Sequence, residues 1–353
     1  MDYPNWVTDE ARAEAESSMS VLHRAYKRGR LGIFIGAGAS VPAGAPSTSS
    51  LIRAALEEHL FPGSLPAVDS EGWRRLVSTP FELLMGVLQK HLGDEAELEA
   101  WLREKIYEGV LNADAAYGEL AGLVNDGTQR QRRIFTTNFD NLIEVAIGER
   151  AKVITSANAE HLNSIEGNSG AVSVVHFHGF INQNVDEHSR TFIATEAKML
   201  QTLDENQMLQ WRLVESLVGS TAFVFVGFSL ADANIKAIYS RFRSILASRE
   251  RGVPVYFVTG GRSAEQYRLD AQTAPTRNAK AIPVTCQAFF RELRRQSEED
   301  TATEFRQNVS RRLRDSADEY EVLEAVLADE FGFDASAARD FLAQAPNRNG
   351  RRS

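Results

Sequence analysis

Residues 31–52 read LGIFIGAGASVPAGAPSTSSLI. Leu31, Ile33, Phe34 and Ile35 form an apolar run that ends in Gly36-Ala37-Gly38-Ala39-Ser40. A short run without alternation is the mark of a strand buried on both faces. The glycine turn behind it has two readings. Gly36 and Gly38 let backbone N–H groups approach a pyrophosphate. Equally, a sharp strand-to-helix turn needs glycine with or without a ligand. The spacing is not GxGxxG, because the third glycine comes late, at Gly44. No GKS or GKT follows, so this is not a P-loop. Pro42, Gly44 and Pro46 stand where a helix would otherwise start at once.

The same signature recurs downstream. RRIFTTNFD (132–140), AVSVVHFHG (171–179), TAFVFVGFSLAD (221–232) and VPVYFVTGG (253–261) each run from apolar residues into a turn. AKVIT (151–155) and AKAIPV (279–284) read as further strands. Helical patterns fill 8–29, with Thr8 or Asp9 as cap, and about 49–60, 73–125, 196–218, 231–247 and 286–296. Residues 61–71 and 156–171 read as loops. Non-alternating strands separated by helices predict an α/β fold, a Rossmann-like doubly wound parallel sheet with helices on both faces. A helical insertion is expected at about 50–127.

Composition narrows the function. The net charge of −9 argues against an extended nucleic-acid-binding face, which needs concentrated Lys and Arg. With Cys286 as the one cysteine, neither a disulfide framework nor a Cys-rich zinc site can form. The first residues, MDYPNWVTDEARAEAE, have no apolar signal core, and no run approaches the roughly 20 apolar residues that span a bilayer. A soluble, cytoplasmic protein with no membrane contact is expected.

Ligands of open parallel sheets bind at the carboxyl ends of the strands. After the second apolar run, Asn138 directly follows the strand, whereas Asp140 suits the start of the next helix. At 176–179, Gly179 allows a turn that exposes His178 to the crevice, and His176 and His178 are spaced to share a strand face. A histidine near its reference pKa can take a proton at neutral pH. At 227–234, Ser229 can hydrogen-bond a ribose or phosphate, while Asp232 serves equally as a helix cap.

GAGAS…GAP, TTNFD, HG and GFSLAD, each at a strand end and in that order, resemble the sirtuin-like superfamily. The branch most similar is the divergent bacterial one of antiphage defence, whose members hydrolyse NAD. The resemblance covers roughly residues 30–290. It implies a Rossmann-like NAD-binding catalytic domain, set at 31–296, with the helical insertion. Outside it, the residue patterns read as an N-terminal helix at 1–30, a helical appendage at 297–345 and a disordered tail at 346–353. Gly36, Ala37, Gly38 and Ser40 resemble the pyrophosphate loop. Asn138 resembles the asparagine that contacts the nicotinamide ribose and positions water, and His178 the catalytic histidine. Asp140 matches an aspartate near the nicotinamide pocket, and Gly227 and Ser229 match an adenosine-side ribose contact. Pro46, Thr137 and Asp232 join the cofactor-binding positions. No metal site is implied.

Two departures from protein-deacylating sirtuins set the expectation. Their four zinc cysteines are absent, and Gly44-Ala45-Pro46-Ser47-Thr48 stands where they carry a GIPDFR-like segment. Both favour hydrolysis of NAD to nicotinamide and ADP-ribose. The rivals are a deacylase or ADP-ribosyltransferase, a non-catalytic NAD or ADP-ribose sensor and, on fold grounds, a dehydrogenase. An unchecked NAD hydrolase would deplete its own cell. Regulation is therefore expected, through a homo-oligomer or a partner such as a HerA-type ATPase or a prokaryotic Argonaute.

Overall fold

Every strand expected from the sequence forms, and the seven make one parallel sheet. The computed structural model describes residues 3–64, 66, 70–77, 79–125, 133–162, 170–183, 192–201, 209, 212–213, 215–216, 219–228, 253–260 and 279–315. The strands are β1 (Leu31–Ile35), β2 (Arg133–Thr136), β3 (Ala151–Ile154), β4 (Val172–His176), β5 (Ala222–Val226), β6 (Val255–Val258) and β7 (Ala279–Ile282). Their order across the sheet is β3-β4-β2-β1-β5-β6-β7. β1 and β5 are neighbours, yet the chain next pairs β2 on one side of β1 and β6 on the far side of β5. That divergence makes the β1/β5 carboxyl end the switch point of the sheet, where doubly wound folds open a crevice.

The absence of alternation in the strands is explained by two apolar layers. One register row crosses the whole sheet as Ile154, Val175, Phe135, Phe34, Phe225, Phe257 and Ala281. All seven lie in one buried cluster. Along the row, Phe34 stacks on Phe225 at 5.5 Å between ring centroids, and Phe225 on Phe257 at 4.8 Å. The opposite face, with Ile33, Ile35, Val174, Val224 and Val226, packs on Met19, Leu22 and Tyr26 of α1 (Asp9–Lys27) and on Tyr117 and Leu120 of α6 (Ala113–Val124). Thr8 caps α1, its side chain accepting from the N–H of Ala11.

Between β1 and α6 the chain builds a second apolar cluster. It is formed by α2 (Thr48–Ala55), a π turn (Leu56–Leu60), α3 (Glu71–Val77), α4 (Phe81–Leu92) and α5 (Glu95–Tyr107). Its centre is Leu56, Met85, Leu88, Leu98 and Leu102, all fully buried. Ile181, Phe192 and Ala194, from the segment after β4, join this cluster. The helical insertion thus has its own core, whereas α6 belongs to the core on the sheet.

The chain divides into two compact units, Met1–Arg294 and Arg295–Ser353. The last described helix is Cys286–Asp315. The expected helix at 231–247 and the chain beyond 315 lie outside the described residues. Among the described residues no helix is long and apolar enough to cross a membrane.

Candidate functional site

The loop after β1 answers its own glycine question in part. Two 3₁₀ turns, Ala37–Ala39 and Val41–Ala43, follow the strand, and Gly44 closes the second at φ +97°. Ser47 then caps α2, its side chain accepting from the N–H of Ser50. Residues 36–47 therefore separate β1 from the next α-helix, α2.

The glycines of this loop press against the β5 end. The N–H of Gly36 donates to the carbonyl of Val226, and that of Gly38 to the carbonyl of Gly227, both at 2.9 Å. A Cβ on Gly38 would lie 2.6 Å from the Gly227 oxygen, and one on Gly227 would lie 2.3 Å from the Ala39 nitrogen. The N–H groups of Ala39 and Ser40 are used within the turn, donating to Gly36 and Ala37. So four of the N–H donors that the pyrophosphate reading draws on are engaged in the fold. Gly38 and Gly227 serve the close approach of two backbones, and Gly36 makes room for the Phe228 ring, which a Cβ there would meet at 2.7 Å. Ala37, Gly38 and Gly227 remain partly or fully exposed along this edge.

Beneath that edge lies a chain of buried polar groups at the ends of β1, β2 and β4. Ser40 is 1% exposed and Asn138 2%. The Asn138 amide donates from Nδ2 to Ser40 Oγ at 2.9 Å and to Tyr117 OH at 3.2 Å. Ser40 Oγ donates to Asp140 Oδ2 at 2.8 Å. That leaves the Tyr117 hydroxyl, 2.7 Å from Ser40 Oγ, to donate to it. Every hydrogen of the three groups is thereby assigned, and the direction ends on Asp140. The Asp140 Oδ1 accepts from the N–H of Leu142, the first residue of α7 (Leu142–Ile147). The N-cap itself is Asn141, whose side chain makes no cap bond; Asp140, one residue earlier than a cap, satisfies the first helical N–H and also anchors the polar chain.

Burial raises the Asp140 pKa, against the Ser40 and Leu142 hydrogen bonds that favour its charge. Burial, reinforced by the Asp140 charge, holds the Tyr117 phenol well above its ordinary value, so it stays a donor. One atom of the chain is left over. Asn138 Oδ1 is buried and accepts no hydrogen bond from the described residues. A buried acceptor without a donor costs about 1–3 kcal/mol, so in a native fold it calls for an explanation.

The two histidines have different surroundings. His176, the last residue of β4, is fully buried, with Nδ1 2.9 Å from the Asn138 carbonyl and Nε2 2.7 Å from Glu144 Oε1. His178 lies past the strand end, partly exposed, its ring 6.3 Å from that of Phe139. Gly179, at φ +81°, makes the turn behind it. The loops of Asn138 and His178 are tied together, because the N–H of Ile181 donates to the carbonyl of Phe139 at 2.8 Å. Tyr107, at the end of α5, adds a second tie. Its hydroxyl accepts from the N–H of Asn141 and lies 2.8 Å from the Ile181 carbonyl, to which it can donate.

The structure therefore brings Ser40, Asn138 and Asp140 into one hydrogen-bonded group, with His178 on the loop beside them. Thr137 is half-buried on the same loop, its N–H donating to the Ile35 carbonyl. Pro46 is half-buried just ahead of α2. Ser229 and Asp232 lie outside the described residues. Sequence reasoning passed over Tyr117, Tyr107 and Glu144. The available signal was a tyrosine within the apolar face of a helix, since a buried phenol needs a partner. Tyr117→Phe, which removes one donor and one acceptor from the chain, is expected to destabilise the fold by about 1–2 kcal/mol in denaturant unfolding. A loss below about 0.3 kcal/mol would contradict the bonding assigned to it.

Residues 132–281 match the family model of the SIR2-like domain. The matched segment holds the Asn138 and His178 loops and Gly227; the glycine loop after β1 and the helical insertion precede it. No curated protein matches the chain. Among solved structures, one described as "Structural Basis for the Mechanism and Regulation of Sir2 Enzymes" aligns over 84% of this chain and 100% of that chain, with 13% identity and a TM-score of 0.40.

Proposed function

We propose that this chain, whose residues 132–281 match the SIR2-like domain, is an NAD glycohydrolase of the sirtuin-like superfamily, releasing nicotinamide and ADP-ribose. The observation that supports this reading is the buried Oδ1 of Asn138, which accepts from no described residue. A hydroxyl of the nicotinamide ribose entering the site would supply a donor for it. Asn138 cannot turn its amide over to serve an acceptor instead, because Nδ2 is held by Ser40 and Tyr117. Oδ1 is thus held as an acceptor, the role a ribose hydroxyl requires.

Nicotinamide departs from the anomeric carbon as a neutral base, leaving oxocarbenium-like positive charge on the ribose. Asn138 orients the ribose and the attacking water. The Asp140 carboxylate, two hydrogen bonds away through Ser40, keeps the Asn138 amide from rotating. His178, partly exposed on the adjoining loop, accepts the proton of the attacking water, a role worth about 10²–10⁴-fold in rate. The backbone edge formed by Ala37, Gly38 and Gly227 admits the dinucleotide closely, having no side chain beyond a methyl.

A regulated role in bacterial antiphage defence, in a homo-oligomer or with a partner protein, belongs to the same proposal. It rests on the resemblance of the motifs and on the harm of unchecked NAD loss. The competing deacylase reading makes a distinct demand, because acyl transfer consumes NAD only with an acyl-lysine acceptor. Adding an acyl-lysine peptide is expected to leave the rate of NAD loss unchanged, with the peptide recovered intact by mass spectrometry. NAD loss that requires the peptide, and removes its acyl group, would replace hydrolysis by deacylation.

A further inference from the structure

We propose that His176, paired with Glu144, is a positioning residue that fixes Asn138 from beneath its backbone. This rests on the role given to Asn138 above and adds the group that holds it. Both ring nitrogens face oxygen. The Asn138 carbonyl can only accept, so Nδ1 carries a hydrogen and donates to it at 2.9 Å. Nε2 shares a further proton with Glu144 Oε1 at 2.7 Å. With both bonds made, the ring bridges α7 and the catalytic loop and cannot rotate. The Phe180 ring packs edge-on against it at 5.1 Å between centroids. On the neighbouring strand, Thr136 is the register partner of His176 and fixes the other end of the same loop, its Oγ1 accepting from the Asn138 N–H at 3.0 Å. Asn138 is therefore gripped at N–H, carbonyl and side chain at once.

The charged groups facing His176 are Glu144 on α7 and Asp140 on the loop before it. Burial favours the neutral ring, but Glu144, the Asn138 carbonyl and Asp140 outweigh it, so the His176 pKa lies above the ordinary imidazole value of 6.5. A pKa raised by folding means that the bridge is complete at and below the ordinary value. It is lost as pH rises through the raised one, when one of the two ring donors goes. Asn138 then loses its carbonyl anchor or the ring loses Glu144, and either frees the loop.

The test compares wild type with Glu144→Gln, which keeps shape but removes the charge, and with His176→Gln. Imidazole nitrogen spectra are followed against pH, together with the Asn138 side-chain amide signal (assigned with Asn138→Ala) and NAD hydrolysis kinetics. In Glu144→Gln, His176 is expected to titrate at lower pH, the Asn138 amide signal to shift, and the alkaline limb of kcat to move to lower pH. At neutral pH kcat falls about tenfold with KM nearly unchanged, within the range that misplacement by about 1 Å costs. If His176→Gln fails to fold, Glu144→Gln alone decides. An Asn138 amide signal and a pH limb that both stay in place overturn the proposal. The amide signal is read without turnover, so a chain that hydrolyses no NAD refutes the hydrolase reading while the positioning of Asn138 is still decided by the spectrum.

Discussion

Asn138→Ala is expected to lower the rate of NAD hydrolysis by about 10²–10³-fold, the loss typical when one preorganised hydrogen-bonding group is removed from a reaction centre. The variant takes away the acceptor aimed at the ribose and the amide that ties Ser40 to Tyr117. Ser40 keeps its bonds to Tyr117 and Asp140, so the fold is expected to survive with a modest loss of stability. Asn138→Asp separates the two contributions. It keeps an oxygen for the ribose but can no longer donate twice, and it sets a second carboxylate near Asp140, whose charge burial already disfavours. Both variants are read by single-turnover NAD consumption beside an unfolding curve. Wild-type rates in Asn138→Ala would remove Asn138 from the mechanism.

The second large effect is structural. Gly227→Ala is expected to destabilise the fold by about 2–5 kcal/mol, combining the left-handed backbone penalty with overpacking. Gly227 has φ +75°, and a methyl there would meet Ala39 N at 2.3 Å, Ala39 Cβ at 2.7 Å and Gly36 O at 2.8 Å. None of these is the tip of a flexible side chain. Relief requires the β1 and β5 turns to part, which breaks the Gly38–Gly227 hydrogen bond and opens the switch point. Gly44→Ala is the control. Gly44 is also left-handed, at φ +97°, but a Cβ there meets its nearest neighbour, Leu111 Cδ2, at an ordinary 3.5 Å. The control is expected to lose only about 1–2 kcal/mol. Equal losses in the two variants would mean that the two turns are not held in contact.

These two residues show what the sequence could reveal. The strand Leu31–Ile35 was legible to the residue, since an apolar run bounded by Arg30 and a glycine leaves little freedom. The parallel sheet followed from the same pattern repeated; the strand order, and with it the switch point, came only from the structure. Asn138 stood out because it sits too close to its strand to cap the next helix; its side chain indeed caps nothing. Asp140 shows that satisfying a helix N–H and holding a place in the polar site can coexist in one carboxylate.

Other features were hidden for physical reasons. That Gly38 contacts Gly227 is a long-range fact of register, and a glycine needed for a close approach has the same letter as one needed for a phosphate. The histidine pair was visible, but which ring turns inward depends on Glu144, 32 residues earlier in the chain. Tyr117 lay within AAYGELAGLV, where its ring reads as core, and only the position of Ser40, 77 residues earlier, gives its hydroxyl a purpose.

If this site breaks the nicotinamide–ribose bond with water alone as acceptor, the wild-type chain incubated with NAD releases nicotinamide and ADP-ribose in equal amounts, growing with time in the absence of any peptide. NAD that is bound at saturation and recovered intact would contradict it and make the chain a sensor.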